Sequence, residues 1–202
     1  MPADRAIRTR KSRRQRVPAI NMKKASTKRV HSFSLIVSGV DTLDSLEEGI
    51  YGAGCDDALV GMRCGIAYVA FDRESESTLE AIASAIRDVR RMPLVQVVRV
   101  EPDDLVNMSE IATRIGQSRE SVRKYVQAER GHGGFPLPVA GINARSMQWR
   151  WSEVAVWLVK QGKLAPLAAD QAAAISGVNA ALELNRVSPS KKELRRLLEL
   201  AS

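Results

Sequence analysis

Residues 108–127, "MSEIATRIGQSRESVRKYVQ", read as two short amphipathic helices parted by a glycine, and their spacing decides the fold of the back half of the chain. With Met108 as the first position, Ile111 and Ala112 fall at the fourth and fifth, Gly116 at the ninth, Val122 at the fifteenth and Tyr125 at the eighteenth. These are the places where a helix-turn-helix needs particular shapes. A small Ala112 lets the second helix approach, Gly116 accepts a left-handed turn, and Ile111, Ile115, Val122 and Tyr125 fill the wedge between the helices.

Ser118 then stands as N-cap of "RESVRKYVQAER", which predicts a helix over residues 119–130 that stops near Gly131. If Val122 and Tyr125 point inward, then Gln117, Ser118, Arg119, Glu120, Ser121, Arg123, Lys124 and Gln127 lie on the exposed face or flank it. Arg pairs bidentately with guanine, Gln with adenine, and Lys or Ser reaches phosphates, so this is a face that a major groove of double-stranded DNA would meet.

Downstream, "VAGINARSMQWRW" has two extended runs around a turn-rich centre from Gly141 to Ser146, the pattern of a hairpin wing over residues 139–151. Arg145 at its tip and Arg150 on its return strand are placed to reach a neighbouring groove or the backbone. Ser152 is expected to cap a helix that carries Val154, Trp157 and Leu158 on one face. Trp149, Trp151 and Trp157 read as core, because few other large apolar groups stand near them.

Upstream the pattern changes. "HSFSLIVSG" reads as a strand, "TLDSLEEGIYGAG" as a helix ended by glycine, and "DALVGMR" with "IAYVAFDR" as two strands around a Cys-Gly turn. "SESTLEAIASAIRDVRRM" sets Leu79, Ile82, Ala83, Ile86 and Val89 on one helical face, and "LVQVVRV" supplies a fourth strand. The fold class expected is therefore α+β. A ferredoxin-like βαββαβ domain over residues 31–106 is followed by a winged helix-turn-helix domain over 107–163 and a helical tail over 164–202.

The strand "CGIAYVAF", residues 64–71, matches part of an RNA-recognition signature at Gly65, Ala67, Tyr68, Val69 and Phe71. It lacks the chemistry. Cys64 replaces the basic opening residue, Ile66 an aromatic, and Ile36 the stacking ring expected on the first strand. Asp56-Asp57 and Asp72-Arg73-Glu74 have no matched base and nucleophile beside them, so they read as strand-end hydrogen bonding, and no enzymatic activity is expected. The only cysteines, Cys55 and Cys64, have no histidine at ligand spacing, so neither a metal nor another cofactor is expected.

Charge divides the 202 residues in the same places: residues 1–30 carry 11 Lys/Arg and net +10, 31–106 net −8, 107–163 net +5, and 164–202 net +1. The first block is basic, polar and aperiodic, and reads as a disordered arm that holds phosphates without reading sequence, or as an extension of a chain whose translation begins at Met22. No apolar run reaches the roughly 18–20 residues of a bilayer span and the N-terminus has no apolar secretory core, so a cytoplasmic, nucleoid-associated protein with no membrane contact is expected. In the tail, Ser190 and Glu193 form a capping box ahead of a stripe of Leu194, Leu197 and Leu198, which fits packing on its own domain or, as the favoured expectation, on the second subunit of a homodimer.

With those residues read, residues 108–158 resemble a MerR/excisionase-type winged helix, whose ending is matched by Phe135-Pro136, Arg150-Trp151, Glu153-Val154 and Trp157-Leu158. "AGCDDALVG" (53–61), "FDRES" (71–75) and "SAIRDV" (84–89) resemble the front half of a recurrent bacterial family of small DNA-binding proteins. The resemblance runs over residues 33–160 and implies a transcriptional regulator, with no defined role for the front domain. Two other roles fit the same residues: an antitoxin-type autorepressor that binds a protein partner through residues 31–106, and an excisionase-like architectural protein that bends DNA.

Overall fold

The computed structural model describes residues 28–144, 146–187 and 190–200. The basic arm, except for its last three residues, and Arg145 lie outside the described residues. The chain is mixed α+β, built on a four-stranded antiparallel sheet and several helices. Among the described residues no helix is long and apolar enough to cross a membrane.

The front half runs β1 (Arg29–Ser38), α1 (Leu43–Gly52), β2 (Ala58–Arg63), β3 (Ile66–Ser75), α2 (Thr78–Val89) and β4 (Gln96–Glu101), with spatial strand order β2-β3-β1-β4. Strict alternation along β1 buries Phe33, Leu35 and Val37 on one face, where Val69 and Phe71 of β3 join them. Leu46 and Ile50 of α1 and the inner side of α2 close over that face. The stripe on α2 is rotated from the expected one. Ala81, Ile82, Ala85, Ile86 and Val89 are buried, whereas Leu79 is 55% exposed, because the small alanines let the helix lie close to the sheet and turn Leu79 outward.

Buried polar groups pin the ends of this layer. His31 lies between the Ser75 carbonyl, 3.3 Å from Nε2, and the Thr78 hydroxyl, 2.9 Å from Nδ1. A carbonyl only accepts, so Nε2 donates and Nδ1 accepts, which fixes the tautomer. Arg73 on β3 donates to Asp57 at 2.7 Å, to Asp88 at 2.8 Å and to the Ser84 hydroxyl at 3.1 Å. The hydrogen bonds to Asp57 hold the Arg73 guanidinium charged against its burial. The three sequence stretches 53–61, 71–75 and 84–89 therefore meet in one clamp of Asp57, Arg73, Ser84 and Asp88. Burial pushes the pKa of the Cys55 thiol beside it up.

The back half contains β5 (Leu105–Val106), α3 (Met108–Arg114), α4 (Arg119–Val126), β6 (Trp149–Arg150) and α5 (Trp151–Lys160) around a second core. Trp149, Trp151 and Trp157 are all buried there, and the indole N–H groups of Trp149 and Trp157 donate to the carbonyls of Pro136 and Gly133 at 3.0 and 2.8 Å. Ser152 is not the cap of α5. The cap position is Arg150, two residues earlier, and Asp104 accepts the helix's N-terminal amides from the side, with the Ser152 N–H at 2.8 Å from Oδ1.

Within the segment expected as a tail, α6 (Pro166–Val187) joins the two halves. Ala169 and Ala172 belong to the second core, while Ile175 is buried with the sheet and Val178 and Leu182 pack beside it. Asn179 lies against the outer strand, its Oδ1 accepting from the Val100 N–H at 2.7 Å and its Nδ2 donating to the Val100 carbonyl at 2.9 Å. Ser176 donates to Asp104 at 2.9 Å. The last helix, α7 (Lys191–Leu200), starts in the expected Ser190–Glu193 capping box; the side chains of Leu197 and Leu198 lie outside the described residues.

Candidate nucleic-acid interface

Asn107 opens α3 as a two-way capping box with Glu110, and Ile111 and Ala112 face the core. The helix closes with Gln117 N–H on the Ala112 carbonyl and Gly116 N–H on that of Thr113, a geometry that needs φ +62° at Gly116. A side chain there would be strained in the left-handed region, so the glycine sets the angle between α3 and α4.

Ser118 caps α4 by accepting from the Ser121 N–H at 3.2 Å. Val122 and Tyr125 are buried, and Tyr125 meets Trp157 edge to face with ring centroids 5.2 Å apart. The helix is shorter than its sequence predicts. It ends at Val126 rather than near Gly131, because the Ala128 N–H turns to the Tyr125 carbonyl and the Glu129 N–H to that of Lys124, with Ala128 at φ +56°. The chain thus leaves the helix four residues before the expected end of 130.

This closure decides which expected site residues stand together. Arg119, Glu120, Lys124 and Gln127 are exposed along the outer side of α4, with Ser118 at its start. Ser121 is half-buried and its hydroxyl lies 3.0 Å from that of Ser118. Gln117 is half-buried, its Oε1 accepting from the Tyr125 hydroxyl at 3.1 Å, which leaves its amide N–H₂ as the outward group.

Arg123 is the departure from a plain cationic face. Its guanidinium binds Glu120 bidentately at 2.7 and 2.8 Å, and Glu129 approaches at 3.3 Å from beyond the helix end. The hydrogen bonds from Arg123 hold the Glu120 carboxyl below the usual carboxylate range, so it remains ionised at neutral pH. Glu129 escapes a sequence reading, because a spacing of six residues is not a helical one and only the turn at Ala128 brings it back.

The stretch expected as a wing pairs in an unexpected way. Among the described residues the return run bonds to its partner at Gln148, whose carbonyl accepts from the Val139 N–H at 2.8 Å and the Ala140 N–H at 3.4 Å and whose N–H donates to the Ala140 carbonyl at 3.0 Å. Its next residues, Trp149 and Arg150, pair instead with Leu105 and Val106 of β5. Arg150 is exposed at the foot of this loop, and one of its nitrogens is 3.4 Å from the buried Asp104 carboxylate. It is therefore drawn toward Asp104.

Arg114 joins the interface to the front half. It donates to the Asp103 carbonyl at 2.9 Å and lies 4.9 Å over the Trp151 ring, and burial lowers its hold on its proton. The exposed polar edge of α4 is thus carried on helices tied to α5 and to the segment after β4. Comparison of the chain with protein-family models, with curated proteins and with solved structures finds no match.

Proposed function

We propose that this protein is a sequence-specific, DNA-binding transcriptional regulator that works as a homodimer and catalyses no reaction. In this reading residues 31–106 form a ferredoxin-like domain, α3 and α4 form a helix-turn-helix, and the 139–151 loop is a short wing. One observation carries it: α4 keeps Val122 and Tyr125 in the core while Arg119, Glu120, Lys124 and Gln127 are exposed on its outer side, with Ser118 at its start. That outer side supplies bidentate and point-charge donors, which is what base edges and phosphates of a major groove accept. The strand order β2-β3-β1-β4 and the pairing of β6 with β5 support the two domain assignments.

Arg119 is the base reader, Lys124 and Ser118 hold phosphates, and Gln117 and Gln127 flank them. Arg123 reaches DNA only by leaving Glu120 and Glu129, so it discriminates sites where a guanine replaces both carboxylates. The front half, at net −8 over residues 31–106, repels the phosphates and makes no contact with them in this reading.

Selection from a randomised duplex pool tests this. The full chain should enrich a defined site and prefer it over scrambled duplex by about a thousandfold or more. Enrichment of nothing beyond general DNA affinity, or equal binding of matched RNA, overturns it.

A further inference from the structure

The sheet has two outer strands, and the protein treats them differently. The β4 edge is blocked: Asn179 of α6 takes both backbone groups of Val100, and the register against β1 shifts at Ile36/Val37. The β2 edge has no neighbour among the described residues. It carries "ALVGMR", with no proline, no bulge and one charge. Leu59 is 77% exposed on it and Met62 50%.

The free groups can be placed. Asp72 N–H binds the Asp57 carbonyl at 3.0 Å, so Asp57 faces β3 and, by alternation, the backbone groups of Ala58, Val60 and Met62 point outward. The strand's ends differ in charge, with Asp56-Asp57 before it and Arg63 at its end.

We infer that β2 pairs antiparallel with β2 of a second copy of this chain, joining two four-stranded sheets across a twofold axis. In the register that uses every outward group, Val60 faces Val60 and Ala58 faces Met62 of the second copy. Arg63 at the end of each strand then comes to the end of the other that carries the exposed Asp56, Asp57 being held by Arg73 of its own chain, which a parallel pairing does not provide. Leu59 comes opposite Gly61 of the second copy. A Cβ on Gly61 would lie 2.4 Å from the Tyr68 ring, so that ring covers the glycine and offers the exposed Leu59 an apolar floor. The inference stands apart from the DNA reading, because the pairing needs no nucleic acid.

Sedimentation and hydrogen exchange on the full chain test it, in reducing buffer so that the exposed Cys64 forms no cross-link. The chain should dimerise without DNA, and the amides of Ala58, Val60 and Met62 should exchange more slowly as concentration rises. Leu59→Lys, and separately Met62→Lys, should weaken the dimer about tenfold or more while the dilute monomer keeps the circular dichroism of the parent, and Leu79→Lys on α2 should leave the dimer intact. Arg63→Glu should weaken it as well, and adding Asp56→Arg should restore it. The inference is overturned if the chain is a monomer at every concentration, or if the dimer ignores both lysine variants. Protection of the β2 amides that does not vary with concentration also overturns it, since another segment of the same chain then covers the edge.

Discussion

At the scale of single residues, α4 sets buried and exposed side chains within eight positions, which the proposed function divides into folding and recognition. Val122 is fully buried among Ile111, Tyr125 and Leu158, so Val122→Asp puts a carboxylate where no described partner awaits it. The loss should reach about 3 kcal/mol or more, and chemical denaturation followed by tryptophan fluorescence should show the second core unfolded. Glu129 should act on binding and leave folding alone. It is half-exposed, holds Arg123 at 3.3 Å and brings negative charge toward any phosphate. Glu129→Gln should leave the melting temperature within a degree or so, since an exposed pair contributes little, and should tighten DNA binding by a few-fold. A titration in which the variant binds more weakly than the parent would remove Arg123 and Glu129 from the interface.

At the scale of elements, α6 makes one body of two cores. Asn179→Ala removes both hydrogen bonds to Val100 and reopens the β4 edge, so stability should fall by about 1–3 kcal/mol, with the Val100 amide exchanging faster than the rest of β4. Unchanged exchange at Val100 would contradict the clamp. How far such elements were legible in the sequence follows from range. The order of strands and helices in the front half stood in the hydrophobic periods, and so did the turn at Gly116, because period and turn chemistry are local. The end of α4 did not, since Ala128 adopts a left-handed conformation that its residue type disfavours while Gly131 stood nearby as the better candidate. Asp104 was equally hidden: its partners Ser152 and Ser176 lie 48 and 72 residues away, and no spacing rule connects them. Of the candidate site, the outward side of α4 was readable from the inward one, whereas the two carboxylates on Arg123 appear only once the chain has turned back.

At the scale of the whole molecule, charge and architecture divide the work. The acidic sheet half carries the open β2 edge, and the basic half carries the α4 face, with α6 packed into both cores. In the proposed function the nine Lys/Arg of residues 1–27 add a sequence-independent attraction to phosphates. Their deletion, which spares β1, should lower affinity for unrelated DNA and reduce the salt slope by about 0.9 for each phosphate that the shortened chain no longer neutralises, leaving site preference in place. Competition titrations in which preference disappears while general affinity stays unchanged would make the arm a reader. The central claim is that α4 reads bases, and the preference ratio of Arg119→Ala/Arg123→Ala tests it most directly, measured as affinity for the selected site over a scrambled duplex. Alanine is at home on an exposed helix, so the fold should survive, and the ratio should fall by about a hundredfold while general affinity persists. A double variant that melts like the parent and keeps its full ratio would contradict the account.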